Sequence, residues 1–449
     1  MAVMDKQALL ALCERGVDAA RAAGADLAEV YASSSESREV AFEKNDINIV
    51  RVIGETAFGV RVFVGGRMGF ATSNRPEALA EVAAEAVTLA KASPADPLNG
   101  LPEPQPILFG EDPVDPALLE MSLAELAKKG DGLLREALGR DKRLTVDSGS
   151  LTISEDTSAV ASSLGVRASF RDAYAQGSLF GMARDGGEVG SFSYDGDAVR
   201  HADELEPKLS RAFERFVGKC VGALGAGKGE SFRGPVIVPP DAVGDLLMGD
   251  VLGMLSAAQV RKGRSPFAEK VGEVVASDKV TLVEAGAGLD GFPLNPFDRE
   301  GMPRSPLALI EGGVLGGFLY DGYEARAAGR QSAGHARGGA SSQPRVGAGA
   351  VRLAPGDTPL ATIDKVERGI YVTRFSGSSD PVSGEFSGVV KGGFLIRDGE
   401  RTPITETTLS GNLYDCLKNI SAVSDTAEVR GGTRAWPTIR VEDVSVTAG

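Results

Sequence analysis

FDREGMPRSPLALIEGGVLGGFLYDGYEARAAGRQSAGHARG, residues 297–338, holds the pattern that decides the fold. Within it, LALIEGGVLGGFLYDG is a β-prone run in which Gly312-Gly313 and Gly316-Gly317 flank Val314-Leu315. That spacing fits tight strand turns, because glycine tolerates positive φ at little cost. The glycines do not read as a phosphate loop, since neither GxxxxGK[ST] nor a strand-GxGxxG-helix order occurs.

Outward from this hairpin the same texture continues. VTLVEAG, GIYVTRF and GGFLIRDGERTPI are further short β-prone runs, and a late helix is expected over Leu409–Val423. Upstream, GPVIVPP is a short apolar strand ending in prolines; Asp241 then fits the N-cap of a helix carrying Val243, Leu247, Val251 and Met254 on one side.

The N-terminal half mixes the two periodicities. Leu9, Leu12, Cys13, Val17 and Ala20 recur at helical spacing before Gly24, and two alternating stretches broken at Gly54 and Gly65-Gly66 predict a small antiparallel sheet. A second helix follows Pro76 over Glu77–Lys91, and SPADPLNGLPEPQP supplies a linker near 93–106. Ser122 with Glu125 spells a capping box for a helix over 122–138. About fifty alternating residues then predict a meandering sheet, before a helix over Glu204–Leu224 and a second linker, GAGKGESFRG. The expectation is an α+β protein: a small N-terminal α/β domain over 1–106, a middle mixed α/β domain over 107–230, and a larger β-rich C-terminal domain, barrel- or sandwich-like, over 231–449.

Composition bounds the function. Of 449 residues 42% are hydrophobic and 24% charged, which suits a globular chain with a sizeable core. With 48 Lys and Arg against 62 Asp and Glu the net charge is -14, which disfavours nucleic acid as a partner. The charged opening MAVMDKQALLALCERGVDAARAAGAD matches neither a signal peptide nor a membrane span, so a cytoplasmic protein is expected. Cys13, Cys220 and Cys416 lack CxxC or CxxH spacing and read as small buried hydrophobes. His201 and His335 are the two histidines of the chain, too few for a zinc site built mainly from about three imidazoles. His201, beside Asp203 and Glu204, reads as a solvated helix-entry residue, and no Ser/His/Asp or Cys/His arrangement is evident.

The stretch at 297–338, followed by PGD at 355–357, resembles the third domain of the TldD/PmbA peptidase family. GIYVTRFSGSSDPVSGEFSGVVKGGFLIRDGE and ITETTLSGNLYDCLKNISAVSD resemble the family's ending, and GVRVFVGGRMGFAT at 59–72 is similar to its first-domain signature. The central Ser162-Ser163-Leu164-Gly165 departs from a recurring Asn-Ser-x-Gly pattern. In the TldD branch a helix reads Leu-Leu-His-Glu-x-x-Gly-His, with two metal-binding histidines and a glutamate base. The matching register here is Leu246-Leu247-Met248-Gly249-Asp250-Val251-Leu252-Gly253, so Met248 and Gly253 stand at the ligand positions and Gly249 at the base. Neither residue type donates an imidazole nitrogen, and glycine abstracts no proton. Asp241, Asp245 and Asp250 do not share one helical face and read as solvent-facing or helix-terminal charges.

The resemblance therefore implies the TldE/PmbA-like branch: no metal and no cofactor in this chain, with zinc left to a TldD-like catalytic subunit that pairs with it as a heterodimer to trim or degrade peptides. His335, Arg337 and Arg345 are the candidate peptide-binding residues, although the plainer reading of His335 is an exposed loop histidine. Two alternatives stay open: a stand-alone peptidase with an unrecognised site, and a non-catalytic homodimeric binding protein.

Overall fold

The computed structural model describes residues 3–289 and 291–448. Strand periodicity builds its first half. Strands β1 (Leu27–Glu43), β2 (Asp46–Val64), β3 (Arg67–Ser73), β4 (Leu144–Ser162), β5 (Arg167–Asp185) and β6 (Glu188–Val189) lie in the order β3-β2-β1-β4-β5-β6, and β7 (Ser193–Val199) also pairs with β5. In β1 the residues Ala28, Val30, Ala32, Val40 and Phe42 are buried, while the intervening Ser33, Ser35, Ser37 and Glu39 are only half-buried, as a period of two requires. The β1–β2 turn places Lys44 and Asn45 at φ +52° and +68°, the left-handed pair of a two-residue hairpin.

One face of this sheet carries two helical layers. Helices α1 (Lys6–Ala22) and α2 (Leu79–Ala92) bury Leu9, Leu12, Val82 and Ala86 against Val30, Phe58 and Val60. Farther along, after the short α3 (Pro116–Glu120), α4 (Leu123–Arg140) and α5 (Leu205–Gly222) bury Leu126, Leu133, Phe213 and Phe216 against Leu151, Ile153 and Leu179. The Ser122–Glu125 capping box is present at the start of α4. Segments 1–106 and 107–230 thus have separate cores but share one sheet: β1 pairs with β4 from Glu29↔Ser162 to Glu43↔Ser148.

The last third is β-rich. Its organising strand, Arg434–Ala448, pairs with Phe232–Val238, Thr407–Asn412, Ile420–Arg430 and, in parallel, Val351–Leu353. Val236, Val238, Ile439 and Val441 from these strands pack with Leu247, Val251, Leu282 and Leu309 in one core. The expected helix over Leu409–Val423 is shorter, Leu413–Lys418, because Asn412 caps it with its side chain and strands take up both flanks. Of the glycines at 312–317, Gly312 and Gly313 have positive φ, whereas Gly316 is required by closeness: a Cβ there would lie 2.4 Å from the Ala308 carbonyl oxygen. No helix among the described residues is long and apolar enough to cross a membrane.

Helix α2 sits directly on β3, where a Cβ on Gly69 would lie 2.0 Å from the Ala86 carbonyl oxygen and 2.5 Å from the Ala90 nitrogen. Gly69→Ala must push the helix off the sheet, and a loss of about 1–3 kcal/mol, the usual cost of overpacking, is expected in chemical denaturation. An unchanged denaturation midpoint would contradict this contact.

Candidate functional site

Residues 240–254 form one helical segment in three parts: α-helical Pro240–Val243, a π turn over Gly244–Met248, and α-helical Gly249–Met254. Proline at the first helical position starts it, so Asp241 lies in the first turn and is not the N-cap expected from the sequence. Its carboxylate instead receives Lys219 Nζ at 2.6 Å and Arg430 Nε at 2.7 Å. Burial alone pushes the Asp241 carboxyl up, but the two neighbouring cations override it and hold the group below the usual range.

The π turn has a local cause. The Gly249 N–H donates to the Gly244 carbonyl, and a Cβ on Gly249 would lie 2.8 Å from that oxygen. Such single π turns occur frequently at functional sites. Gly249 and Gly253 line a groove of about 480 Å³ with Gly244, Asp245, Ala348 and Arg434. Met248 does not face it; its side chain is fully buried in the β-domain core. A larger groove, about 1200 Å³, runs between α4 and α5, but it is an open surface furrow bridged by the Lys129–Glu206 ion pair.

The aspartates of the segment diverge. Asp241 is neutralised as described, Asp250 accepts a hydrogen bond from Ser379 Oγ at 2.6 Å, and Asp245 lies in the groove wall with its carboxyl pushed up by burial despite the nearby Arg374. Among the described residues no three His, Cys, Asp or Glu side chains converge as a metal-binding group.

His335 is buried, with 1% of its surface exposed, which corrects the reading of an exposed loop histidine. The loop folds inward because Asp298 accepts the Ala336 N–H at 2.9 Å and the His335 carbonyl accepts the Gly347 N–H. His335 Nδ1 accepts the Tyr320 N–H at 3.2 Å, so the neutral ring carries its proton on Nε2. Burial, reinforced by Arg337 and Arg304, pushes this histidine down to about 4. Arg337 lies 3.9 Å from the buried Glu284, and its Nε donates to the Gly347 carbonyl at 3.3 Å. Arg345 stands opposite Arg337 in the short hairpin but is exposed. The structure therefore gathers His335 and Arg337 with Arg304 and Glu284, and leaves Arg345 at the surface. His201 is exposed, as its sequence setting predicts.

A second cluster was not visible in the sequence. Glu29 on β1 and Arg61 on β2 are joined at 2.7 Å, Arg61 reaches Glu300 at 2.7 Å, and Arg299 closes on Glu29 at 2.9 Å. All four side chains are buried, and Glu300 also accepts the Gly322 N–H at 2.7 Å. Asp298 fixes the turn that presents them by accepting the N–H groups of Glu300 at 2.8 Å and Met302 at 2.9 Å. The DRE triplet at 298–300 is the only local signal; its partners lie 239 and 270 residues away in the chain.

With this geometry in place, the comparisons identify the class. Residues 231–448 match the model of the PmbA/TldA metallopeptidase C-terminal domain, and residues 28–90 match PmbA/TldA metallopeptidase domain 1. The chain is 26% identical over 413 residues to a protein named Metalloprotease from Methanothermobacter thermautotrophicus, covering 89% of this chain and 88% of that one. It is 26% identical to Metalloprotease PmbA of Escherichia coli O157:H7, covering 90% and 89% respectively. The crystal structure of TldE from Thermococcus kodakarensis superposes with a TM-score of 0.87 at 27% identity, over 97% of this chain and 100% of that one. The chain belongs to the PmbA/TldD family.

Two outcomes follow from the buried groups. His335 has a folded-state pKa below its unfolded value near 6.5, so its contribution is complete above pH 6.5 and is lost as pH falls toward 4. His335→Gln is expected to flatten the stability profile in that window by about 2–3 kcal/mol, measured by urea unfolding at stepped pH. Arg61→Met strands Glu29 and Glu300 without their shared cation and is expected to cost about 3–5 kcal/mol. A thermal midpoint equal to that of the unaltered chain would show the network to be dispensable.

Proposed function

We propose that this chain is the TldE/PmbA-like subunit of a TldD/TldE-type metallopeptidase that trims or degrades peptides in the cytoplasm, pairing with a TldD-like subunit that carries the zinc. The observation that carries the reading is the segment at 246–253. At the positions where a TldD-like helix would supply histidines and a glutamate, this helix has a core methionine, Met248, and two groove-lining glycines, Gly249 and Gly253. Glycine offers neither a ligand nor a base, but it keeps the groove open.

On this reading the chain supplies a wall of the peptide site and not its chemistry. A metal held by the partner would supply the Lewis-acid chemistry, polarisation of the scissile carbonyl and activation of water. The groove beside Gly249 and Gly253 leaves room for an extended segment, and the pair of buried Glu284 and half-buried Arg337 fixes the loop at its rim. Glu284 also accepts the Gly349 N–H at 2.6 Å, which ties that loop to the β-domain.

The test is peptide hydrolysis with elemental analysis, for the chain alone and mixed with a TldD-like relative. The chain alone should be metal-free and inactive, and the mixture should co-elute and cleave. Gly253→Trp is a second probe, since nothing lies within 4 Å of a Cβ built at Gly253. It should leave the thermal midpoint unchanged and reduce cleavage by the mixture about tenfold or more, roughly 1.4 kcal/mol in the barrier. Hydrolysis by the repurified chain alone would refute the subunit reading.

A further inference from the structure

The loop at 346–349 separates the groove from a cluster of cations. Its groove face is Val346, Gly347 and Ala348. Two arginines that do not line the groove press on the loop: a Cβ on Gly349 would overlap Arg337 Nη2 and lie 2.8 Å from Arg304 Nη1, so glycine lets both guanidinium groups close on the backbone. A third, Arg434, donates from Nη1 to the carbonyls of Gly349 and Thr433 and itself lines the groove.

These three cations are not balanced. The carboxylates that act on them are Glu284 and Asp298. Both are committed to backbone: Glu284 accepts the Gly349 N–H at 2.6 Å, and Asp298 accepts the N–H groups of Glu300, Met302 and Ala336. The network of Glu29, Arg61, Arg299 and Glu300 beside them is neutral in itself. One positive charge is therefore in excess even with both carboxyls ionised. Burial, reinforced by Arg304, pushes the Arg337 guanidinium down to about 10. Arg304 Nη1, Arg337 Nη2 and His335 Nε2 are buried without a hydrogen-bond partner among the described residues. An unmatched buried charge is costly, and a single anion placed against it restores the balance.

The groove has a place for that anion. Nε and Nη2 of Arg434, the edge that holds a carboxylate with two parallel hydrogen bonds, enter no hydrogen bond or ion pair among the described residues. The other charged lining residue, Asp245, is offset by Arg374. Gln259 lines the same groove, and its Oε1 is a buried acceptor without a donor. A donor fork and an acceptor together match the end of a peptide, whose α-carboxylate stands beside the N–H of the same residue. A halide or an acetate ion uses only the fork. Glycine at 244, 249 and 253 leaves the terminal side chain unselected.

We propose that Arg434, backed by Arg304 and Arg337, binds the C-terminal α-carboxylate of a peptide in this groove, so that a substrate is registered by its end and not by its sequence. The inference rests on the proposed function only in placing a peptide there.

The experiment is calorimetric titration of the purified full chain, without a second subunit, with N-acetyl-tetraalanine as the free acid and as its C-terminal amide. The acid should bind about tenfold tighter than the amide, near 1.4 kcal/mol, and equimolar sodium acetate should not displace it. Arg434→Gln should abolish the preference, and Arg434→Lys, which keeps the charge, should retain it. The preference is a ratio of two affinities, so a variant that loses some stability still reports it. Gln259→Leu should weaken acid and amide alike. Equal binding of the two peptides, binding of neither, a preference that survives Arg434→Gln, or displacement by equimolar acetate would each overturn the proposal. Cleavage by the mixture with a TldD-like relative tests the subunit reading independently of these affinities, so either can fail while the other holds.

Discussion

Everything in this chain that approaches a site depends on a buried row of four charges, Arg299–Glu29–Arg61–Glu300, between the first sheet and the β-domain. Glu29 and Arg61 belong to neighbouring strands of the sheet, and Arg299 and Glu300 to one turn of the β-domain. The row is electrically balanced, which is the condition for holding ions out of water. It contributes alignment more than net stability, because two apolar surfaces slide over one another while three directional ion pairs accept one register. The apolar contact beside it, where Phe297 and Met302 pack on Val160, Val166 and Phe170, supplies the burial that the charges do not.

That alignment reaches the groove through covalent neighbours. The turn bearing Arg299 and Glu300 is fixed by Asp298, which also binds the amide next to His335. His335 in turn meets the backbone of Tyr320, one residue beyond the groove-lining Leu319. The glycine-bearing helix is anchored at its other end by Asp241, whose cations come from α5 of the first sheet and from the strand Ile420–Arg430. The groove is thus spanned by two polar anchors, one at each end, both bridging the same two bodies.

What the sequence made legible was what short-range physics controls. The helix over Leu123–Arg140 declared itself through Ser122 and Glu125, and the β-domain through its glycine-punctuated runs. The segment at 246–253 could be placed on a helix, but its π turn could not, since that depends on the closeness of Gly249 to Gly244. His335 was misjudged because its flanking glycines, serines and arginines resemble a surface loop. Asp298, remote in sequence, and the backbone bond from Gly347 to the His335 carbonyl turn that loop inward. Long-range pairing was the general blind spot: the linker at 93–106 marks a real change of composition, yet β1 and β4 on either side of it belong to one sheet.

The pairing of β1 with β4 also sets a schedule for the chain as it is made. Strand β1 and its hairpin partner β2 are complete by Val64, but β4 ends at Ser162 and the turn carrying Arg299 lies farther still. At about 5–20 residues per second the open side of β1 waits roughly 5–20 seconds for its neighbour. During that interval the hairpin has two bare edges, not one, and Glu29 and Arg61 are still in water. The serine run Ser33-Ser34-Ser35 with Glu36 and Ser37 lies along the waiting strand. A polar middle of this kind keeps a nascent hairpin soluble on the ribosome, and the hydroxyls that look unremarkable in the finished sheet guard the chain before the sheet exists.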